Sequence, residues 1–352
     1  MTTRLQNHVA RSLMIALVAA FAFASGSLHA QDKVYPLQGA TASGKLVEIN
    51  KDQITIEVRG KNQVYKVNEV KKVSLGEDPP GMDRARDFTF DKNYNQALDE
   101  LKKIDPASIK DPIVLQDYQF YRGFVEGNLA LAGSGAAKTS AATLLMTVKR
   151  ANANSHHTYR LNEMLGQLAV AVGKPDSATP FYREMASAPY PEIKALAFYR
   201  QGEVELALNK LPEARKLFEQ LIASEANDTE MIRLKNLAEV GLALCSAREG
   251  KSEEALAKLQ ELVQKHDSSD QALFASIYNA QGLCLENMGK TNQAILAYLH
   301  TDLLFFTSTE AHAEALYHLS KLFPKANLQQ RGIEARERLT SQYPSSTWTA
   351  KQ

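Results

Sequence analysis

Residues 276–301 read SIYNAQGLCLENMGKTNQAILAYLHT. Gly282 stands between Tyr278 and Leu285, Gly289-Lys290 interrupts the helical period, and Ala294 and Tyr298 follow on the far side, the pattern of two short helices closed into a hairpin. The spacing recurs upstream. Gly166, Gly202, Ala243 and Gly282 are each followed seven residues later by a turn residue, Gly173, Asn209, Gly250 and Gly289, and then by Lys174, Lys210, Lys251 and Lys290. Twelve residues after each small residue stands an alanine (Ala178, Ala214, Ala255, Ala294), and four beyond it a bulky side chain (Tyr182, Phe218, Leu259, Tyr298). One such hairpin cannot bury its own apolar face, so the units must stack.

Working outward, Ala85, Ala97 and Leu101 repeat the sketch, with 91–95 as the turn. The 81 residues between Ala97 and Ala178 leave room for one irregular unit, with helices near 113–132 and 141–152 and an enlarged loop between them. A final hairpin takes 310–322 and 328–341. Small residue at a helix crossing, Gly-Lys or Asn-Lys turn, then alanine four before a bulky residue: this arrangement resembles the tetratricopeptide repeat. The resemblance covers residues 82–344 and implies a mainly α chain, an α-solenoid of six to seven helical hairpins. Successive small residues are 36, 41 and 39 apart, longer than the usual period of about 34, which points to lengthened helices or connections.

The first 30 residues read differently. Arg4 and Arg11 precede an apolar run, Leu13 to Ala24, and small residues continue to Ala30, the signature of a secretory signal peptide cut after Ala30, or near 25–27. Twelve apolar residues are too few to span a bilayer, and no cysteine follows that could carry a lipid. The expectation is an exported chain, periplasmic or secreted, with no integral membrane segment after cleavage. Residues 31–75 alternate in the strand period, with β-branched side chains at Ile54, Ile56, Val58, Val64, Val67 and Val73. Turns are expected at 50–52 and 60–62, giving an antiparallel unit of three to five strands that resembles an SH3-like or Sm-like barrel in strand count and spacing. Thr55, Glu57, Lys66 and Lys72 are read as its solvated face. About 40 residues cannot bury a stable core alone, so the unit must pack on the helices or on another chain. Residues 76–81, GEDPPG, form a stiff linker to the helical part at 82–352.

The whole chain carries 41 Lys+Arg against 40 Asp+Glu. Without Arg4 and Arg11 the balance is 39 to 40, no electrostatic footprint for nucleic acid or an anionic membrane. GSGAAKTS at 133–140 lacks the glycine before the lysine and the preceding strand that a phosphate loop needs. His312, Glu314 and His318 are spaced wrongly for paired ligation from one helix, and His156-His157 no better, so surface or capping histidines are expected, with no metal and no cofactor. Cys245 and Cys284 fall at equivalent places on neighbouring hairpins, farther apart than a disulfide spans, and are expected as two buried thiols.

No catalytic constellation can be assembled from spacing. The reading is therefore a non-catalytic scaffold in cell-envelope complex assembly, holding a protein or peptide partner in the concave groove lined by first helices. By the resemblance, groove residues are Arg160, Glu163, Gln167, Tyr199, Glu203, Leu244, Arg248, Asn279, Leu283 and Glu286. The basic and asparagine clamp that some relatives use for a terminal carboxylate is missing, since Glu163, Tyr199, Val240 and Asn279 occupy those places. The alternative is an envelope hydrolase or enzyme accessory with its site at the 133–140 loop.

Overall fold

In the computed structural model the described residues are 31–133, 137–225 and 228–352; the leader expected at 1–30 lies outside them. Five strands come first: β1 (Asp32–Pro36), β2 (Ala42–Ile49), β3 (Gln53–Val58), β4 (Lys61–Lys66) and β5 (Val70–Ser74). They form one antiparallel sheet in the order β4-β3-β2-β1-β5. The start of β2, 42–44, pairs with β1 and the rest, 45–49, with β3, the latter pairing shifting register between Leu46 and Glu48; a single 3-10 turn, Val67–Glu69, joins β4 to β5. Val34, Ile54 and Ile56 are fully buried. The second hairpin turn is Arg59-Gly60, both left-handed, so Lys61 opens a strand instead of lying in the turn expected at 60–62.

Two residues placed on the solvated face are buried. Thr55 is 5% exposed and Lys72 6%. The helices cover that side: Lys72 Nζ bonds Asp83 at 2.9 Å and Asp87 at 2.8 Å. Farther along, Tyr159 donates to Asp52 Oδ1 at 3.0 Å, Tyr190 to the Asp52 carbonyl and Asn68 to Glu192. The β-unit thus lies on the helices, touching the first, third and fourth hairpins.

Those hairpins are α1 (Met82–Phe90) with α2 (Tyr94–Lys102), α3 (Pro112–Leu131) with α4 (Lys138–Ala151), and α5 (Thr158–Ala171) with α6 (Thr179–Ala186). Next come α7 (Pro191–Ala207) with α8 (Leu211–Ile222), α9 (Thr229–Arg248) with α10 (Ser252–Lys265), and α11 (Gln271–Asn287) with α12 (Thr291–Leu304). The seventh pair is α13 (Thr309–Lys325) with α14 (Gln329–Gln342), and one turn, α15 (Thr347–Ala350), follows.

Six of the turns share one solution. Lys92, Gly173, Asn209, Gly250, Gly289 and Asn327 all have positive φ. The next N–H reaches back to the carbonyl five residues earlier: Asn93 to Phe88, Lys174 to Ala169, Lys210 to Glu205, Lys251 to Ser246, Lys290 to Leu285 and Leu328 to Phe323, at 2.8–2.9 Å. This is the six-to-one bond of a helix ending in a left-handed residue, and it satisfies a carbonyl that the helix leaves open.

The expected small-to-bulky spacing closes directly. A Cβ built on Gly166 would lie 2.3 Å from the Tyr182 ring, one on Gly202 2.4 Å from Phe218, and one on Gly282 2.5 Å from Tyr298. The ring occupies the space that a side chain on the small residue would need. Ala178, Ala214, Ala255 and Ala294 are at most 1% exposed beside these rings. In the irregular second hairpin Gly123 meets Leu145 in the same way across the longer loop. Cys245 and Cys284 are free, buried thiols; burial pushes the Cys284 thiol up to about 11.

Candidate partner-binding face

First helices α5 and α7 set side by side the side chains expected to face a partner. Glu163 accepts from Gln167 Nε2 at 2.9 Å, one turn along α5, and from Arg200 Nη2 at 3.2 Å across the hairpin boundary. Arg200 Nη1 donates to Glu203 at 2.9 Å, and Glu203 also accepts the Tyr199 hydroxyl at 2.9 Å. Burial opposes the charge on Arg200, but Glu203 and Glu163 more than offset it, so the guanidinium stays protonated. Its Nε finds no hydrogen-bond partner among the described residues, although the side chain as a whole is 26% exposed. At the head of the row Arg160 stands over the rings of Phe124 at 4.9 Å, Phe120 at 5.5 Å and Tyr121 at 5.9 Å. Arg160, Glu163, Gln167, Tyr199 and Glu203 therefore form one contiguous face of alternating donors, acceptors and rings. Arg200 sits at its centre and was not among the expected residues; its i, i+3 spacing to Glu203 was the available signal.

The remaining expected residues part company with this face. Leu244 is packed partly into the apolar clusters of the fourth and fifth hairpins, as is the ring of Tyr199, which stays in the face through its hydroxyl alone. Arg248 donates to the Leu206 carbonyl, and Asn287, its equivalent on α11, donates to the Ala247 carbonyl at 3.1 Å, so each caps the preceding first helix. Asn279 is 4% exposed and donates to the Ala311 carbonyl at 2.8 Å and to Glu314 at 2.9 Å. Glu286 is held by Tyr298 at 2.8 Å and His318 at 2.6 Å. Asn279 and Glu286 are thus joints between hairpins, because a side chain at the crossing meets the next helix before it meets solvent. Leu283, with Arg248, Asn209, Lys251 and Asn287, lines an open cavity of about 870 Å³ beside the hairpin turns.

The histidines expected at the surface or as caps turn inward, His157 at the N-cap position of α5 without a side-chain capping bond. His157, 3% exposed, lies on Phe120 with ring centres 3.6 Å apart and bonds Asp117 Oδ1 at 2.5 Å. His156 approaches the same oxygen at 3.5 Å. Together Asp117, His156 and His157 have the donor types of a metal site. The fully buried Arg86 argues against a cation there: it holds Asp117 Oδ2 at 2.6 Å and pairs with Asp78 through both terminal nitrogens. Burial would raise the Asp117 carboxyl, but Arg86 and the two histidines hold it well below the usual range. Burial and His156 push His157 down to about 3. His312 is likewise buried, between Asp302 and Tyr343 at 2.7 Å each, with Arg338 completing the group.

In the 133–140 loop, residues 134–136 lie outside the described set. Lys138 is committed to the carbonyls of Ala171, at 3.2 Å, and Ser345, at 2.5 Å.

The sequence profile of the tetratricopeptide repeat matches residues 163–229 and 199–272, the hairpins that carry this face. Among solved structures the chain is similar to a tetratricopeptide repeat protein from Parabacteroides merdae, with TM-score 0.54 and 16% identity over 75% of this chain and 92% of that one. It is also similar to the apo form of the quorum sensor NprR from B. thuringiensis, with TM-score 0.54 and 11% identity over 74% and 75%. At these identities the likeness is one of fold. No curated protein matches the sequence.

Proposed function

We propose, for a chain that is a tetratricopeptide-repeat protein with a small antiparallel β-unit at the head of its array, that it works as an exported, non-catalytic scaffold of the cell envelope. In this reading it holds a protein or peptide partner against the first helices of the third and fourth hairpins. The single observation that carries it is the row Arg160, Glu163, Gln167, Arg200, Glu203 and Tyr199, which offers donors and acceptors in alternation next to aromatic surface. Charges in that row cancel, so it suits the amide groups of a peptide better than a strongly ionic ligand. Export rests on the basic, apolar and small-residue run at 1–30. Among the described residues no helix is long and apolar enough to cross a membrane.

The test is capture from an envelope fraction by the chain lacking residues 1–30. A stoichiometric partner retained by that chain and lost with Arg200→Ala, at unchanged melting temperature, supports the reading. A partner indifferent to Arg200, Glu163 and Tyr199 sinks it. Fusing 1–30 to a reporter active only outside the cytoplasm tests export separately.

A further inference from the structure

We propose that the first-helix face of the seventh hairpin is a second docking surface, built for short segments that combine an aromatic ring with a basic residue, and that this chain's own Ser345–Gln352 sits there in cis. After α14 the chain turns back across α13. Ser346 and Thr347 hydroxyls meet the Glu310 carboxylate at 3.5 and 3.1 Å. Trp348 lies against Tyr317, ring centres 5.3 Å apart, and His318, at 5.6 Å. Lys351 folds over the Trp348 ring, 3.6 Å from its centre; burial there lowers its ammonium, against the pull of Glu314 and Glu310.

What distinguishes this contact is how little holds it. Between other hairpins the facing helix runs four or five turns and buries a full apolar stripe. Here α15 is a single turn and Trp348 is half-buried against the edge of the apolar cluster of the last two hairpins; beyond that one ring the hold is polar, from hydroxyls, the Lys351 ammonium and the Lys138 bond to the Ser345 carbonyl. Such contacts are individually weak, and what sustains them in cis is the short tether, which a free segment at sufficient concentration can overcome. Glu310 and Glu314 favour a cation, while Tyr317 and His318 favour a flat ring. The occupant is therefore a peptide with an aromatic residue followed three positions later by Lys or Arg, the spacing of Trp348 and Lys351.

Trp348 is the sole tryptophan, so its emission reads the site directly. The probe is the synthetic peptide SSTWTAKQ, titrated into a chain ending at Pro344 and into the intact chain. A second host is the intact chain with Trp348→Ala, which removes the anchor without shortening the chain. Saturable binding is expected to both altered hosts, at least tenfold weaker binding to intact chain, and at least tenfold weaker binding of a peptide with Lys351→Glu. The proposal is overturned by absent binding in folded hosts, by equal binding to all three, or by loss of a cooperative melt in both altered hosts, which would make the segment an integral cap. The proposal rests on reading first helices as docking surfaces, but the two sites fail separately: Arg200→Ala leaves this titration unchanged.

Discussion

The glycine–aromatic seam and the partner-binding face run along the same first helices, a third of a turn apart, and behave oppositely. Along the seam the third, fourth and sixth hairpins repeat one contact, ring on glycine, within 2.3–2.5 Å of a would-be Cβ. At the position three before the small residue no residue type recurs: it is Glu163, Tyr199, Val240 and then Asn279. Each hairpin must solve the same packing problem, so the seam is periodic; the face carries no such shared constraint, and the proposed partner would differ along its length.

Four measurements would break or sharpen that contrast. The largest effect is expected at an interior contact that is not periodic: Asp117→Ala takes one of two carboxylate partners from the fully buried Arg86, leaving Asp78, removes the partner of His157, and should cost about 3 kcal/mol in urea unfolding. If it costs under 1 kcal/mol, the buried ion cluster is not part of the frame. Next comes the seam. Gly202→Leu gains under about 1 kcal/mol of helix propensity but drives carbon into the Phe218 ring, for a net loss of about 2–3 kcal/mol. A stabilised variant would show that the glycine is not required by packing.

The third is a pH slope. His157 in the folded chain takes a proton only near 3, against 6.5 when unfolded, so between these values the unfolded state binds more protons. Stability should fall as pH drops from 6.5 toward 3, by at most about 1.4 kcal/mol per unit, and His157→Gln should flatten that part of the profile. Asp117 adds a further loss only below its ordinary range, because its folded value is depressed. The smallest effect on stability belongs to the face: Arg200→Ala should shift unfolding by under about 1 kcal/mol, since its ion pairs are partly exposed, yet weaken partner capture at least tenfold. A large loss of stability would move Arg200 from the face to the frame.

The hairpins were legible because glycine, left-handed turn and alanine recur at fixed offsets. The seventh hid that register behind substitutions: Ser320 for the small residue, Asn327 for the turn, Gly332 for the alanine and Arg336 for the bulky side chain. Its structure explains one of these, since a Cβ on Gly332 would lie 2.8 Å from the ring of Pro324, which sits inside α13. The burial of Lys72 was not legible, because the aspartates that neutralise it lie on a helix beyond the linker. His157 and His312 misled for the same reason: local spacing reports ligands along one helix, whereas Asp117 and Asp302 reach them from other helices.

Sequence alone therefore determined the succession of helical hairpins, the place of the turns inside them and the β-rich head, since these depend on periods of a few residues and on backbone angles open to few side chains. Tertiary structure decided which polar residues became joints and which stayed free. Asn279 and Gln167 sit on equivalent helices, but Asn279 donates to Ala311 and Glu314 of the next hairpin while Gln167, among the described residues, donates to Glu163 one turn away on its own helix. That choice depends on how closely consecutive hairpins approach, a distance set by the summed packing of many side chains and by no single one of them.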